Sequence, residues 1–162
     1  MDIRHHTAQV NGITMHWVEA GQGPPVLLLH GFPETCYCWR HQIPVLAEHH
    51  HVIAPDLRGY GHTAKPSGGY DKRTMAQDTY SLMQHVGYSM AAIVGHDRGA
   101  RVATRFAKDY PASIERLVVM DNIPTRVIFE RMNAEIARGH EERPETVNRE
   151  LIGFLRSLNR KP

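Results

Sequence analysis

Three short apolar runs, each stopping at a glycine or an aspartate, most restrict how this chain can fold. The run at 24–32 (PPVLLLHGF) is apolar almost throughout, which is typical of a strand buried on both faces of a sheet. Similar runs at 90–94 and 115–120 lie on either side of a helical pattern at 98–109, and an amphipathic pattern at 73–87 precedes them. This alternation predicts an α/β fold, a mostly parallel sheet with helices on both faces.

The N-terminal part of the chain has a different pattern. Residues 5–10 and 13–19 alternate between apolar and polar side chains, and Asn11-Gly12 between them is a strong turn signal. This pattern predicts an antiparallel hairpin at the start of the sheet. Three further segments complete the prediction: a strand at 50–59, a segment at 37–48 that could form a helix around Pro44, and an amphipathic helix at 144–158.

The composition is that of an ordinary globular domain. The chain has 162 residues, which is enough for one domain, with 41% hydrophobic and 22% charged residues. Its formal net charge of +2 is small and its basic residues do not form a stripe, so nucleic acid is not an expected partner. No apolar stretch approaches 18 residues, so we expect no membrane span and a cytoplasmic location.

Cysteine and histidine content points away from a metal or disulfide framework. Cys36 and Cys38 stand two positions apart and have no second pair, so we expect reduced thiols. The chain has twelve histidines, but no Glu-x-x-His or spaced histidine pair accompanies them, and surface positions are expected. No metal ion and no cofactor is therefore predicted.

The segment GHDRG at 95–99 matches the Gly-x-nucleophile-x-Gly turn between a strand and a helix. In that turn, the nucleophile elbow, the central side chain is lifted clear of the sheet at a helix N-terminus, which favours an ionised carboxylate. Asp97 occupies the central position and is a candidate nucleophile. An alternative is that Asp97 only caps the helix at 98–109, because aspartate is common at caps.

A second strand end carries the segment HGFP at 30–33. The backbone N–H of Phe32 can point into the same crevice as Asp97, and with the N–H of Arg98 it would form an oxyanion hole. An ordinary strand-to-loop turn is the alternative interpretation of this segment.

Taken together, these segments resemble the α/β-hydrolases of the dehalogenase and epoxide-hydrolase branch. Within that branch the chain is most similar to the fluoroacetate (haloacetate) dehalogenases, which carry arginine after the nucleophile where haloalkane dehalogenases and most epoxide hydrolases carry tryptophan. The similarity runs from about residue 5 to residue 138. The segments that carry it are HGFPET at 30–35, DLRGYGHTAKP at 56–66, GHDRGAR at 95–101 and VVMDNIPT at 118–125.

The resemblance implies a role for each matching residue. Asp97 would be the nucleophile, Asp121 the acid that orients a catalytic histidine, and Arg98 with Arg101 the pair that holds a substrate carboxylate. A guanidinium grips a planar carboxylate bidentately, and the implied substrate is a short 2-haloacid. The alternatives are a solvated helix surface for the two arginines and a turn-forming role for Asp121.

The chain departs from the family in its C-terminal part, because the family runs to nearly twice this length. Arg138 is followed directly by a segment that looks like the family's C-terminal end, which predicts an internal deletion near 138/139. Residues 1–138 would then be the N-terminal core of a single domain, residues 139–162 its tail, and His140 the catalytic base. The competing interpretation assigns His140 to the first helix of a cap.

These departures leave three functional hypotheses open. The first is a haloacid hydrolase, and the second is an epoxide hydrolase that uses the same aspartyl ester. The third is a non-catalytic, shortened relative that binds small carboxylates or folds as an oligomer. Since strand 115–120 would lie at an exposed sheet edge, a homo-oligomer is also consistent with the sequence.

Overall fold

The computed structural model describes residues 2–122, which form a mostly parallel sheet with helices packed against it. The strands are β1 (Arg4–Val10), β2 (Ile13–Ala20), β3 (Pro25–Leu29), β4 (His51–Pro55), β5 (Ala91–His96) and β6 (Ile114–Met120). The α-helices are α1 (Ile43–Leu46), α2 (Lys72–His85) and α3 (Arg98–Asp109), and short 3₁₀ helices span Cys36–His41 and Pro111–Ser113. The predicted α/β architecture is confirmed.

The order of the strands decides where a site can form. Across the sheet the order is β1-β2-β4-β3-β5-β6, with antiparallel pairing of β1 with β2 and of β2 with β4. Strands β4, β3, β5 and β6 pair in parallel. The carboxyl ends of β3, β5 and β6 therefore lie side by side at one edge, where sheets of this kind bind their ligands.

The N-terminal hairpin forms as predicted. Val10 pairs with Ile13, and the two residues between them, Asn11 and Gly12, have φ values of +48° and +76°. Two successive residues at positive φ are typical of a type I′ turn, whose twist matches that of the strands.

Side chains of the central strands point alternately to the two faces of the sheet and form a core on each face. On one face, Leu27, Leu29 and Ile93 lie in a buried cluster with Val102 and Phe106 of α3. The alternate residues of β3 and β5 are equally buried and point to the opposite face. Strands buried on both faces explain the uninterrupted apolar run of β3.

The helix predicted over 37–48 is wrong as a single element. The structure has a 3₁₀ helix over Cys36–His41 and then the short helix α1, in whose first turn Pro44 lies. A proline has no N–H for a bond to the preceding turn, and its ring clashes there, so it is tolerated only at the start of a helix. The physical reason for the break was therefore already present in the sequence.

Several predictions about the rest of the chain are not tested. The deletion near 138/139, the tail at 139–162 and the helix at 144–158 lie outside the described residues. Within residues 2–122, no helix has both the length and the apolar character that a membrane crossing needs. On β6, Leu117 and Val119 are 36% and 46% exposed, and self-association through this strand stays a prediction.

Candidate active site

Asp97 lies at the turn between β5 and α3, in a backbone conformation that side chains rarely adopt. Its φ is +45° and its ψ is −108°, and its side chain caps no N–H group of α3. The alternative that Asp97 serves only to cap the helix is therefore wrong. Its own N–H donates to the Met120 carbonyl oxygen at 3.0 Å, which ties the turn to β6. Strained residues of this kind cluster at functional sites.

Both glycines of the segment are required by close backbone approach. A Cβ atom on Gly99 would lie 2.1 Å from the Leu29 carbonyl oxygen, and one on Gly95 would lie 2.6 Å from the Gly99 carbonyl oxygen. Either side chain would force α3 away from the sheet. The two glycines thus hold the helix N-terminus against the end of β3.

The turn that follows β3 brings a backbone donor to Asp97. The N–H of Phe32 donates to Asp97 Oδ2 at 2.9 Å. The other predicted donor, the N–H of Arg98, belongs to the first residue of α3, where N–H groups have no partner within the helix. The structure thus brings Phe32 and Asp97 together, and their role as oxyanion donor and nucleophile stays a prediction.

His30 holds the end of β3 in place. Its Nε2 atom accepts a hydrogen bond from the Leu57 N–H at 2.9 Å, so its Nδ1 carries the proton and donates to the Gly31 carbonyl oxygen at 2.8 Å. Burial lowers the pKa of His30, which favours this neutral form. The imidazole therefore fixes the path of the chain just before Phe32.

A pair of side chains that was not recognised in the sequence lies beside this turn. Glu34 Oε2 accepts a hydrogen bond from the Gly31 N–H at 2.8 Å and lies 3.0 Å from His96 Nδ1. On its other side, His96 Nε2 is 3.9 Å from Asp121 Oδ2. Glu34 belongs to HGFPET and His96 to GHDRGAR, but 62 residues separate them, and only the folded sheet brings the two together.

Cationic side chains surround the N-terminus of α3. The Arg98 guanidinium carbon lies 5.4 Å from the centre of the Phe32 ring and 5.8 Å from that of Tyr60. The Nε atom of Arg101 is buried and, among the residues that the structure describes, has no hydrogen-bond partner. The pKa of Lys72 is lowered first by burial and then by the charges of Arg98 and Arg101. These contacts do not support a freely solvated surface for the two arginines.

The predicted triad is only partly within the described residues. Asp121 directly follows β6, at a φ of +49°, with its side chain 63% exposed. Within residues 2–122, the histidine beside Asp121 is His96, which directly precedes the candidate nucleophile. His140 lies outside the described residues.

One group of possible metal ligands occurs among the described residues, and Asp97 is not a member of it. The ligand atoms of His16, Cys36 and Asp56 lie within 4.8 Å of one another. Asp56 already accepts hydrogen bonds from the N–H groups of Cys36 and His62 and lies 2.8 Å from His16 Nδ1. Burial raises the pKa of the Cys36 thiol to about 12, which disfavours the thiolate that a metal needs. The group is best described as a buried hydrogen-bond network.

Comparison with known proteins identifies relatives of this chain. The chain is 52% identical over 123 residues to the soluble epoxide hydrolase of Corynebacterium sp. (strain C12), covering 76% of this chain and 43% of that protein. It is 43% identical over 136 residues to the fluoroacetate dehalogenase of a Burkholderia species, covering 81% and 45%. Among solved structures, the epoxide hydrolase VrEH1 from Vigna radiata matches with a TM-score of 0.72 at 38% identity, covering 93% of this chain and 46% of that one.

The chain thus spans less than half the length of these two curated relatives. The family model described as the alpha/beta hydrolase fold matches residues 24–149, which contain the turn of Phe32, the elbow of Asp97 and the end of β6. Because that match extends over most of the sequence, the chain belongs to the alpha/beta hydrolase family.

Proposed function

We propose that this chain carries the nucleophilic centre of a hydrolase that removes halide from a short 2-haloacid through an ester on Asp97. The observation that carries the proposal is the hydrogen bond from the Phe32 N–H to Asp97 Oδ2. Asp97 directly precedes α3, and the first turn of that helix contains Arg98 and Arg101. A carboxylate held by a backbone donor beside two cations suits displacement on a small anionic substrate.

The first step follows from which oxygen of Asp97 is held. Because Oδ2 accepts the Phe32 N–H, Oδ1 is the oxygen that attacks the carbon bearing the halogen. The new C–O bond forms as the carbon–halogen bond breaks, and the halide leaves with the bonding electron pair. Oδ2 then becomes the carbonyl oxygen of the ester.

The second step is hydrolysis of that ester. A water molecule, deprotonated by a base, attacks the ester carbonyl carbon, and negative charge develops on Oδ2. The Phe32 N–H already points at this atom, and the Arg98 N–H would be the second donor. In the collapse of the intermediate the bond between the Asp97 carbonyl carbon and Oδ1 breaks, and the leaving alkoxide takes the proton held by the base. The 2-hydroxyacid is released, and Asp97 returns to a carboxylate by losing a proton to solvent. His140 stays the predicted base.

The substrate class follows from the charges near Asp97. Arg98 and Arg101 would bind the carboxylate of the haloacid and turn its α-carbon toward Oδ1. Burial of the Arg101 Nε atom without a partner among the described residues supports a ligand at this place, since buried donors are normally satisfied. Lys72 adds a third positive charge to the same region.

Labelled water tests this proposal directly. In a single turnover with chloroacetate in ¹⁸O-water, hydrolysis at the ester carbonyl carbon places the label in Asp97, where mass spectrometry of the peptide detects it. Label found only in the released hydroxyacid would contradict an aspartyl ester. No halide release at any pH, together with thermal stabilisation by chloroacetate, would favour a non-catalytic carboxylate-binding protein.

Epoxide hydrolysis is the second candidate, and the relatives support it. The 52% identical protein is a soluble epoxide hydrolase, and epoxide opening uses the same attack by an aspartate. The Arg98→Ala variant separates the two candidates. For a haloacid enzyme it raises KM for chloroacetate by about 10-fold or more, through loss of about 1.5–3 kcal/mol of charged hydrogen bonding. For an epoxide enzyme it leaves turnover of a neutral epoxide within about threefold.

A further inference from the structure

The turn at 31–34 has to be held firmly, although the ring at its centre is largely exposed. It carries the Phe32 N–H that donates to Asp97, while the Phe32 ring is 62% exposed. Burial of the ring therefore contributes little to the position of this N–H. Within the turn, the Glu34 N–H donates to the Gly31 carbonyl oxygen at 3.2 Å, a long hydrogen bond.

Hydrogen bonds anchor the first residue of this turn and the chain that follows it. Upstream, His30 donates to the Gly31 carbonyl oxygen. Downstream, the Cys36 N–H donates to Asp56 Oδ1 at 2.8 Å. The Gly31 carbonyl group and the Phe32 N–H belong to one planar peptide unit, so the hydrogen bond from His30 already restricts the direction of this N–H.

Glu34 adds a second constraint, which links the turn to β5. Its Oε2 atom takes the Gly31 N–H at 2.8 Å and the His96 Nδ1 atom at 3.0 Å, and because an ionised carboxylate only accepts, His96 donates. His96 directly precedes Asp97 in the chain. One carboxylate oxygen therefore ties the residue before Phe32 to the residue before Asp97, and both side chains are about four-fifths buried.

We propose that Glu34 and His96 are positioning residues that hold the Phe32 N–H on the Asp97 carboxylate by clamping the turn at 31–34 to the end of β5. This inference rests on the proposed function, in which that N–H stabilises the negative charge of ester hydrolysis. In this role, Glu34 and His96 act through the backbone on either side of the reacting atoms.

Two variants of Glu34 in the ¹⁵N-labelled 162-residue chain test the proposal. Glu34→Ala removes the acceptor, and we expect hydrogen exchange of the Phe32 amide to accelerate by about tenfold, as for loss of a charged hydrogen bond. With chloroacetate, kcat falls by about 10- to 100-fold while KM changes by less than about threefold, because the lost interaction acts in the transition state. Glu34→Gln keeps an acceptor oxygen with two lone pairs and stays within about threefold of the wild type.

Asp109→Ala is the matched control. The Asp109 side chain is 22% exposed, as is that of Glu34, and it pairs with Arg105 at the other end of α3. The control leaves Phe32 exchange and kcat within about twofold of the wild type. The proposal is overturned if Glu34→Ala leaves Phe32 exchange and kcat within about twofold of the wild type. It is also overturned if Asp109→Ala changes both quantities as much as Glu34→Ala does. A wild-type chain that neither releases halide nor opens an epoxide contradicts the proposed function. Even then, the exchange rates of the Phe32 amide show whether Glu34 and His96 hold the turn at 31–34.

Discussion

At the scale of single residues, Asp97 concentrates the features that an aspartyl nucleophile needs. Its positive φ costs on the order of 1–3 kcal/mol, and the conformation persists because the surrounding contacts enforce it. The hydrogen bond to Met120 and the close approach of Gly99 to Leu29 are two of those contacts. The carboxylate is therefore exposed to substrate by the fold rather than by its own preference.

Asp97→Asn removes the nucleophile with almost no change in shape. We expect product formation to fall by about 10³-fold or more, because a neutral amide does not displace halide or open an epoxide. Steady-state kinetics measures this loss, and urea unfolding checks that the chain still folds. Asp71→Asn, at the N-cap of α2, is the matched control and keeps full activity. Retention of a tenth of the activity in Asp97→Asn would contradict the assignment.

At the scale of elements, an ion pair joins the loop after β4 to α2. Arg58 donates to both oxygens of Asp78 at 2.7 and 2.8 Å, and the two side chains are 7% and 2% exposed. Asn11 from the hairpin donates to the same carboxylate. The loop held in this way also carries Tyr60, whose ring lies near the Arg98 guanidinium.

Arg58→Ala leaves the Asp78 carboxylate buried without its main partner. We expect the free energy of unfolding to fall by about 3–5 kcal/mol, as is typical for a broken buried pair. Urea denaturation measures the change. Arg73→Ala is the control, because Arg73 is 71% exposed and lies 3.5 Å from Asp109, so its loss costs less than about 1 kcal/mol. Equal effects of the two variants would show that burial of the pair does not matter.

Asp56 makes stability depend on pH. Burial by itself raises its pKa, but the N–H groups of Cys36 and His62, together with the Cys36 thiol and His16, outweigh burial and leave the pKa lowered. A carboxyl whose pKa is lower in the folded state adds stability above its unfolded pKa, about 3.9, and loses that contribution as the pH falls through its folded pKa.

Asp56→Asn should therefore destabilise the chain most at neutral pH. We expect a loss of about 2–4 kcal/mol at pH 7, because the amide cannot accept all of these donors. The difference from the wild type narrows as the pH falls below about 4. Urea titrations of both proteins between pH 7 and pH 3 measure this, and a difference that stays constant over that range would contradict the role of the charge.

At the scale of the whole molecule, the Cys36 thiol reports whether residues around the sheet open together. Cys36 is 7% exposed and burial raises its pKa to about 12, so the thiol reacts slowly while the chain is folded. We expect alkylation of Cys36 at pH 8 to accelerate with urea in parallel with global unfolding. Mass spectrometry distinguishes it from the half-buried Cys38. A labelling rate that does not depend on urea would instead indicate local opening.

Much of the fold could be predicted from local sequence patterns. Asn11-Gly12 indicated the hairpin, because two residues at positive φ suit that turn, and the apolar runs indicated the buried strands. The bounds of α3 were predicted correctly over residues 98–109. The continuous helix over 37–48 was wrong because a proline is tolerated only at the start of a helix, and Pro44 lies in the first turn of α1.

The sequence by itself determined the order of elements and the residue types at the end of each strand, because these depend on neighbours along the chain. The glycines around Asp97 and the arginines after it belong to this part. Only the tertiary structure decided which strand ends meet. The contacts of Glu34 with His96, and of Phe32 with Asp97, join residues 62 and 65 positions apart. Such contacts follow from sheet order, which no local pattern contains, and they place a backbone N–H on the one carboxylate oxygen that the proposed chemistry requires.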